Sequence, residues 1–179
     1  TWEVLTLKAT TLPTWLSLNT STKVLSGTPL NEHVGSNSVV LTVSDGTVTV
    51  EQSFTITVSN TNDAPVFTST AVTAATEDAA YTYTAAASDV DIGDALTFIA
   101  NTLPSWMTLV DNGNSRTASV SGTPLNEHVG ANAVVLTVSD GFGTVNQSFT
   151  ITVTNVNDSP VLSSTPITAA TEDSLYSYT

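Results

Sequence analysis

The sequence predicts an all-β chain of tandem sandwich repeats, each about 95 residues long. Thr, Val, Ser and Ala dominate it, and branched side chains favour strands because they suit a pleated, half-buried surface. No long segment shows an apolar stripe at helical spacing. The segment Ser26–Gly35 returns unchanged as Ser121–Gly130, an offset of 95. That period is too long for a solenoid unit and suits a sandwich domain.

Taken in order, residues 64–158 read as one complete repeat. Its expected strands are Val66–Thr73, Ala79–Ala87, Ala95–Asn101, Trp106–Val110, Arg116–Ser121, Asn132–Ser139 and Thr144–Thr154. A set of about seven short strands separated by turn signals fits an immunoglobulin-like Greek-key sandwich. Val134, Leu136 and Val138 alternate with polar neighbours, as do Phe149, Ile151 and Val153, so each set lines a buried face. Leu12-Pro-Thr-Trp15 and Leu103-Pro-Ser-Trp106 are offset by only 91, which puts four extra residues into the second copy. They fall within Val110–Ser119, where Asp111-Asn-Gly-Asn114 reads as a turn that tolerates insertion.

Residues 1–63 match the later part of this repeat and lack its first two strands, while residues 159–179 supply the first two strands of a third. These pieces are complementary halves of one domain, so head-to-tail self-association by strand exchange is an expected partner mode beside contact between neighbouring repeats. The joints are Asn60-Thr-Asn-Asp-Ala-Pro65 and Asn155-Val-Asn-Asp-Ser-Pro160. A proline closing a short segment rich in Asn and Asp marks a boundary between sheet domains.

Composition narrows the function. Sixteen Asp and Glu face three Lys and Arg, a net charge of −13. Such a surface repels phosphate backbones and anionic membranes, which excludes nucleic acid as a partner. No apolar run is long enough for direct membrane insertion. There is no cysteine, so a small secreted domain needs another staple, and metal is one.

Four groups offer oxygen ligands: the joints, Asp89-Val-Asp-Ile-Gly-Asp94, Glu77-Asp78 with its copy Glu172-Asp173, and Asn31-Glu32 with its copy Asn126-Glu127. Calcium takes six to eight oxygens in a loop that bends around it. Asp-x-Asp-x-Gly-Asp places alternate carboxylates on one side of an extended segment, and Gly permits the turn. The bland reading of Asp89–Asp94 is an acidic turn, and of Asn126 and Glu127 a turn already fixed by Pro124 and Gly130. Asp45-Gly46 and Asp140-Gly141 read as hairpin turns, with Asp140 a secondary ligand candidate. Trp106, Tyr81 and Tyr83 are the candidates for a sugar platform, against the simpler reading that they pack the sheets. No catalytic motif appears, and the two histidines, His33 and His128, stand at equivalent positions of a duplicated turn. The chain reads as no enzyme.

The order Asn-Asp-x-Pro, Thr-Glu-Asp, Ala-x-Asp-x-Asp-x-Gly and a late Asp-Gly resembles a cadherin repeat. The Leu-Pro-x-Trp and Ser-Gly-Thr-Pro pieces bring it closest to the dystroglycan-type cadherin-like and immunoglobulin-like tandem repeats of large bacterial surface adhesins. The resemblance implies calcium between the base of one domain and the top of the next. Joint one would draw on Asn60, Asn62 and Asp63, with Asn31 or Glu32 from below and Asp89, Asp91 and Asp94 from above. Joint two would use Glu77, Asn126 or Glu127, Asn155, Asn157 and Asp158, with Asn62 and Asn157 offering main-chain carbonyls. If tails complete heads, Glu172 reaches joint one from a neighbouring molecule. Asn60 and Asn155 stand where cadherins carry Asp, which implies fewer ions or weaker binding. The implied role is cell adhesion or extension outside the cell, in a membrane-associated adhesin or a biofilm. The alternatives are a carbohydrate-binding module or a spacer in a secreted polysaccharide-active protein.

Overall fold

The computed structural model describes residues 4–179; Thr1, Trp2 and Glu3 of the first segment fall outside them. It is all-β. In the first segment, β1 (Thr6–Thr11), β4 (Gly35–Ser44) and β5 (Thr49–Val58) form a sheet in the order β1-β4-β5, beside a hairpin of β2 (Leu16–Asn19) and β3 (Val24–Gly27).

The second segment forms two four-stranded sheets. One runs β10 (Met107–Asp111), β11 (Thr117–Gly122), β8 (Tyr81–Ser88), β6 (Val66–Phe67). The other runs β7 (Ala74–Thr76), β13 (Thr144–Thr154), β12 (Gly130–Ser139), β9 (Thr97–Thr102). Their inner faces meet in one apolar core. Val134, Leu136 and Val138 of β12 are buried in it with Ile151 and Val153 of β13, Tyr81, Tyr83 and Ala85 of β8, and Val120 of β11. The alternation read from the sequence therefore marks the inner face.

Two strand expectations need correction. Val66–Thr73 is not one strand. Val66 and Phe67 pair with Ser88 and Ala87 in the first sheet, and Ala74–Thr76 pair in parallel with Thr152–Thr154 in the second. Residues 68–73 cross between the sheets, held by Ser69, whose hydroxyl accepts the Ala86 N–H at 2.8 Å and whose carbonyl accepts the Gln147 amide at 2.9 Å. Alternation reports which way side chains face and not which ladder a strand joins. The expected strands of residues 159–179 do not form either: the whole segment 155–179 is exposed and without ladder partners, and an isolated strand pair has too little to bury in water.

A polar unit recurs in both segments. The Trp106 indole N–H donates to Asn132 Oδ1 at 3.1 Å, and the Asn132 amide donates to the His128 carbonyl at 2.8 Å. His128 Nδ1 accepts the Leu125 N–H at 2.9 Å, which places the ring proton on Nε2, 3.3 Å from the Ser105 hydroxyl. Trp15, Asn37, His33, Leu30 and Thr14 repeat the arrangement. The histidines are structural acceptors. Trp106 also packs edge-on against Tyr81 at 5.7 Å.

The glycine of Ser-Gly-Thr-Pro has a steric cause. A Cβ on Gly122 would lie 2.0 Å from the Trp106 carbonyl oxygen, and one on Gly27 1.8 Å from that of Trp15. Gly122→Ala should therefore cost about 1–3 kcal/mol through overpacking, read as a lower urea midpoint at unchanged m-value.

Candidate metal centre

The loop between β8 and β9 builds the upper side of joint one. Asp91 N–H donates to Asp89 Oδ1 at 2.9 Å, which bends the chain back on itself, and Gly93 at φ 105° completes the reversal. Arg116 holds both ends of the loop, its guanidinium donating to the Asp89 carbonyl at 3.2 Å and the Asp94 carbonyl at 3.3 Å. The β12–β13 hairpin approaches from the other sheet. Asp140 Oδ1 caps that turn, accepting the Phe142 and Gly143 N–H groups at 2.7 and 2.5 Å.

Three carboxylates then converge: Asp89, Asp94 and Asp140 each place an oxygen within 4.8 Å of the others. Asp91 lies beside them, 2% exposed. The linker crosses above. Asp63 N–H donates to Asp91 Oδ2 at 2.7 Å, and the Asn62 amide donates to Asp140 Oδ2 at 3.0 Å. Asn31, from the first segment, donates to Asp63 Oδ2 at 2.7 Å. Asn60 lines a cavity of about 320 Å³ with Asn31, Val34, Val90 and Ile92. One hydrogen-bonded chain thus runs from Asn31 through Asp63 to Asp91.

The electrostatics are unbalanced. Burial pushes the Asp94 carboxyl above the usual carboxylate range, reinforced by the charges of Asp91, Asp89 and Asp140 and only partly opposed by Arg116. The Gly143 and Phe142 N–H groups and the Asn62 amide hold Asp140 below it. Asp89 Oδ2 and Asp91 Oδ1 are buried without a hydrogen-bond partner. Buried anionic oxygens without donors call for a cation, and an all-oxygen set of this kind fits a hard one.

At the base of the second segment the arrangement differs. Glu77 is 2% exposed, with Oε2 accepting the Val156 N–H at 2.9 Å and Oε1 unpartnered. Asn126 donates to Asp158 Oδ2, and the Asn157 amide donates to the Asp158 carbonyl at 3.1 Å. Asn155 and Asp158 are exposed. Glu32 and Glu127 each lie 3.6 Å from the neighbouring histidine Nε2 and are about three-quarters exposed. Glu172 is exposed on the tail.

Asp140 and Arg116 stand at this cluster, although the sequence marks Asp140 first as a hairpin turn. The Asp140-Gly141 turn accounts for one oxygen of Asp140, while the other accepts the Asn62 amide from the linker. Arg116 is the sole arginine in a strongly acidic chain, and that isolation was its signal. Tyr81 and Tyr83 are each 4% exposed, with hydroxyls bound to the Val72 carbonyl and Gln147. Neither offers a ring face to a sugar, and Trp106 packs between Tyr81 and His128.

The opposite shifts predict opposite mutants in metal-free protein. A raised folded pKa at Asp94 means that stability falls as pH climbs from 3.8 through the folded value, and the penalty is complete above it. Asp94→Asn should raise Tm at pH 7. A lowered folded pKa at Asp140 gives stability that is full above 3.8 and is lost as pH falls below it. Asp140→Asn should lower Tm at pH 7. Thermal melts in EGTA read both signs.

Comparison with known proteins places the chain. No curated protein matches it. Among solved structures, an endo-fucoidan hydrolase of glycoside hydrolase family 107 (MfFcnA4) is 30% identical over 87% of this chain, with a TM-score of 0.48; the chain spans 24% of that protein. Extracellular cadherin domains 3–6 of protocadherin gamma B2 superpose with a TM-score of 0.65 at 14% identity, over 86% of this chain and 40% of that one. Human protocadherin-24 EC1-2 gives 0.53 at 18% identity, over 87% and 83%. The two protocadherin likenesses carry the cadherin-like fold. The family model described as Putative Ig domain matches twice, over residues 2–59 and 64–154. The chain belongs to that family.

Proposed function

We propose that this chain is a calcium-binding extender and adhesion segment of a large extracellular bacterial surface protein, stiffened where its repeats meet. The observation that carries the reading is the set of orphaned, buried carboxylate oxygens on Asp89, Asp91 and Glu77, at the two ends of the complete repeat. Buried carboxylates of this kind are costly in a structural loop and useful to a cation. Asp89, Asp91, Asp94 and Asp140 would hold the ion at joint one, with Asp63 and the Asn62 main chain closing from the linker. Glu77, Asp158 and the Asn157 main chain would begin the set at joint two. Bound calcium supplies positive charge where like charges otherwise oppose one another.

The mechanical consequence follows from position. Asp63 belongs to the linker, Asn31 to the repeat below and Asp91 to the repeat above, so neutralising the cluster fixes one repeat on the next. Asn60 and Asn155 replace charged donors, which places affinity in the range of extracellular modules, about 10⁻⁴–10⁻³ M. The family and the cadherin-like fold favour a non-catalytic role outside the cell. Contacts with neighbouring repeats, and homophilic contacts between copies, are the partners this reading names.

Calcium at about 100 times its Kd should stabilise the protein by about 2.7 kcal/mol, a rise in Tm of about 11–22 °C for a domain of under 100 residues. EGTA should reverse it and broaden the small-angle scattering profile. Asp91→Asn should abolish most of the rise. Identical melts and scattering in calcium and EGTA would sink the proposal.

A further inference from the structure

The hairpin of β10 and β11 carries four residues that the matching hairpin of the first segment lacks. There β2 and β3 turn over Thr20–Lys23, and Asn19 Oδ1 caps the turn by accepting the Ser21 and Thr22 N–H groups at 3.0 and 3.1 Å. No Asp or Arg stands between Trp15 and Ser26. The longer connection places Asp111 at its start and Arg116 at its end, and both reach out of the hairpin toward the Asp89–Asp94 loop.

Four bonds tie the hairpin to that loop and to the strands beside it. Before the loop, the Ala87 N–H donates to the Arg116 carbonyl at 3.1 Å. On the loop, the Arg116 guanidinium donates to the Asp89 and Asp94 carbonyls. After it, the Phe98 N–H donates to Asp111 Oδ2 at 3.0 Å. The hairpin thus grips β8 where the loop leaves it, the loop at both ends, and β9 where the strand resumes.

The connection is itself cross-braced. Asp111 Oδ1 accepts the Gly113 N–H at 2.9 Å, the Asn112 amide donates to the Thr117 and Ser119 hydroxyls at 3.1 and 3.2 Å, and the Ser115 and Thr117 hydroxyls are bonded at 2.8 Å. Arg116 takes φ 58°, a left-handed conformation that side chains rarely adopt and that persists where the surroundings over-determine it.

A planar guanidinium presents its donors in a fixed fork, so two carbonyls bonded to it are held at a set separation. Asp89 and Asp94 carry those carbonyls and also two of the three converging carboxylates. Charge alone acts the other way. A guanidinium close enough to oppose the Asp94 shift is close enough to repel a divalent ion. The sole arginine of the chain therefore weakens the pull on a cation while it supplies geometry.

We propose that the β10–β11 hairpin is a brace that holds the Asp89–Asp94 loop in its cation-binding shape before metal arrives, with Arg116 as the positioning residue that sets affinity at joint one; this rests on the calcium reading above. A loop ordered in advance loses less freedom when the ion binds. A repeat with the shorter hairpin leaves that ordering to the ion itself.

The test is NMR on the full 179-residue chain, read at the Asp91 and Asp63 amides, whose N–H groups donate to the Asp89 and Asp91 carboxylates. In EGTA, Arg116→Ala should speed exchange of both amide protons about tenfold. The Trp106 indole proton, bonded to Asn132 at the other end of β10, should exchange as in the parent chain. Calcium titrated into the same samples should shift the Asp91 amide with a Kd about tenfold weaker in Arg116→Ala. Arg116→Lys, which keeps the charge without the fork, should fall between the two, and it carries the same comparison if Arg116→Ala fails to fold. A Kd that is unchanged or tighter, as loss of a nearby positive charge alone would give, overturns the proposal, and so does unchanged exchange of the two amides. A parent chain with no calcium shift at Asp91 overturns the calcium reading and the affinity claim with it, whereas exchange in EGTA judges the brace by itself.

Discussion

The bond from the Asp63 amide to the buried Asp91 carboxylate, 2.7 Å long, is the contact on which the joint depends. It fixes the linker two residues before the buried Pro65, and so sets where Val66 meets Ser88 in the first sheet. It also leaves Asp63 with a carboxylate free to accept Asn31 from the segment below. Asp91 can serve this role because Asp89 bends the loop and Arg116 clamps its ends through main-chain carbonyls. A charge-assisted bond of this kind is roughly twice as strong as a neutral one, and it is local to the boundary between two domains.

Two halves of nearly the same sequence fold into the same strands with different burial. β4 and β5 pair in the register of β12 and β13, residue for residue. Val39 is fully buried like Val134, but the outer positions of the first sheet are not. Strand identity is therefore set by local pattern and hairpin turns, and burial by whether a second layer is present. The ladder forms on its own pattern; the core requires a partner sheet.

The fold class was legible because alternation and an exact repeat are both written in the residues. Asp89, Asp91 and Asp94 were legible because Asp-x-Asp-x-Gly-Asp gathers three carboxylates in one short segment that its glycine lets bend. Asp140 was not, since its Asp-Gly turn fully accounts for one oxygen and hides the second. Arg116 binds carbonyls, which every residue has, so no partner could be named from sequence. The crossing at residues 68–73 was invisible because the side-chain period continues while the ladder changes. Glu127 shared a motif with Asn126, but adjacent residues of a 3₁₀ turn point apart, and only Asn126 reaches the joint.

The unit formed by Trp, Asn, His and the residue after Leu-Pro closes its hydrogen bonds inside each repeat and borrows nothing from a neighbour. A gene encoding such units can gain or lose whole copies by recombination without disturbing those that remain. Length then becomes a trait that evolves separately from the fold, and the reach of the array can change without any new interior having to be invented.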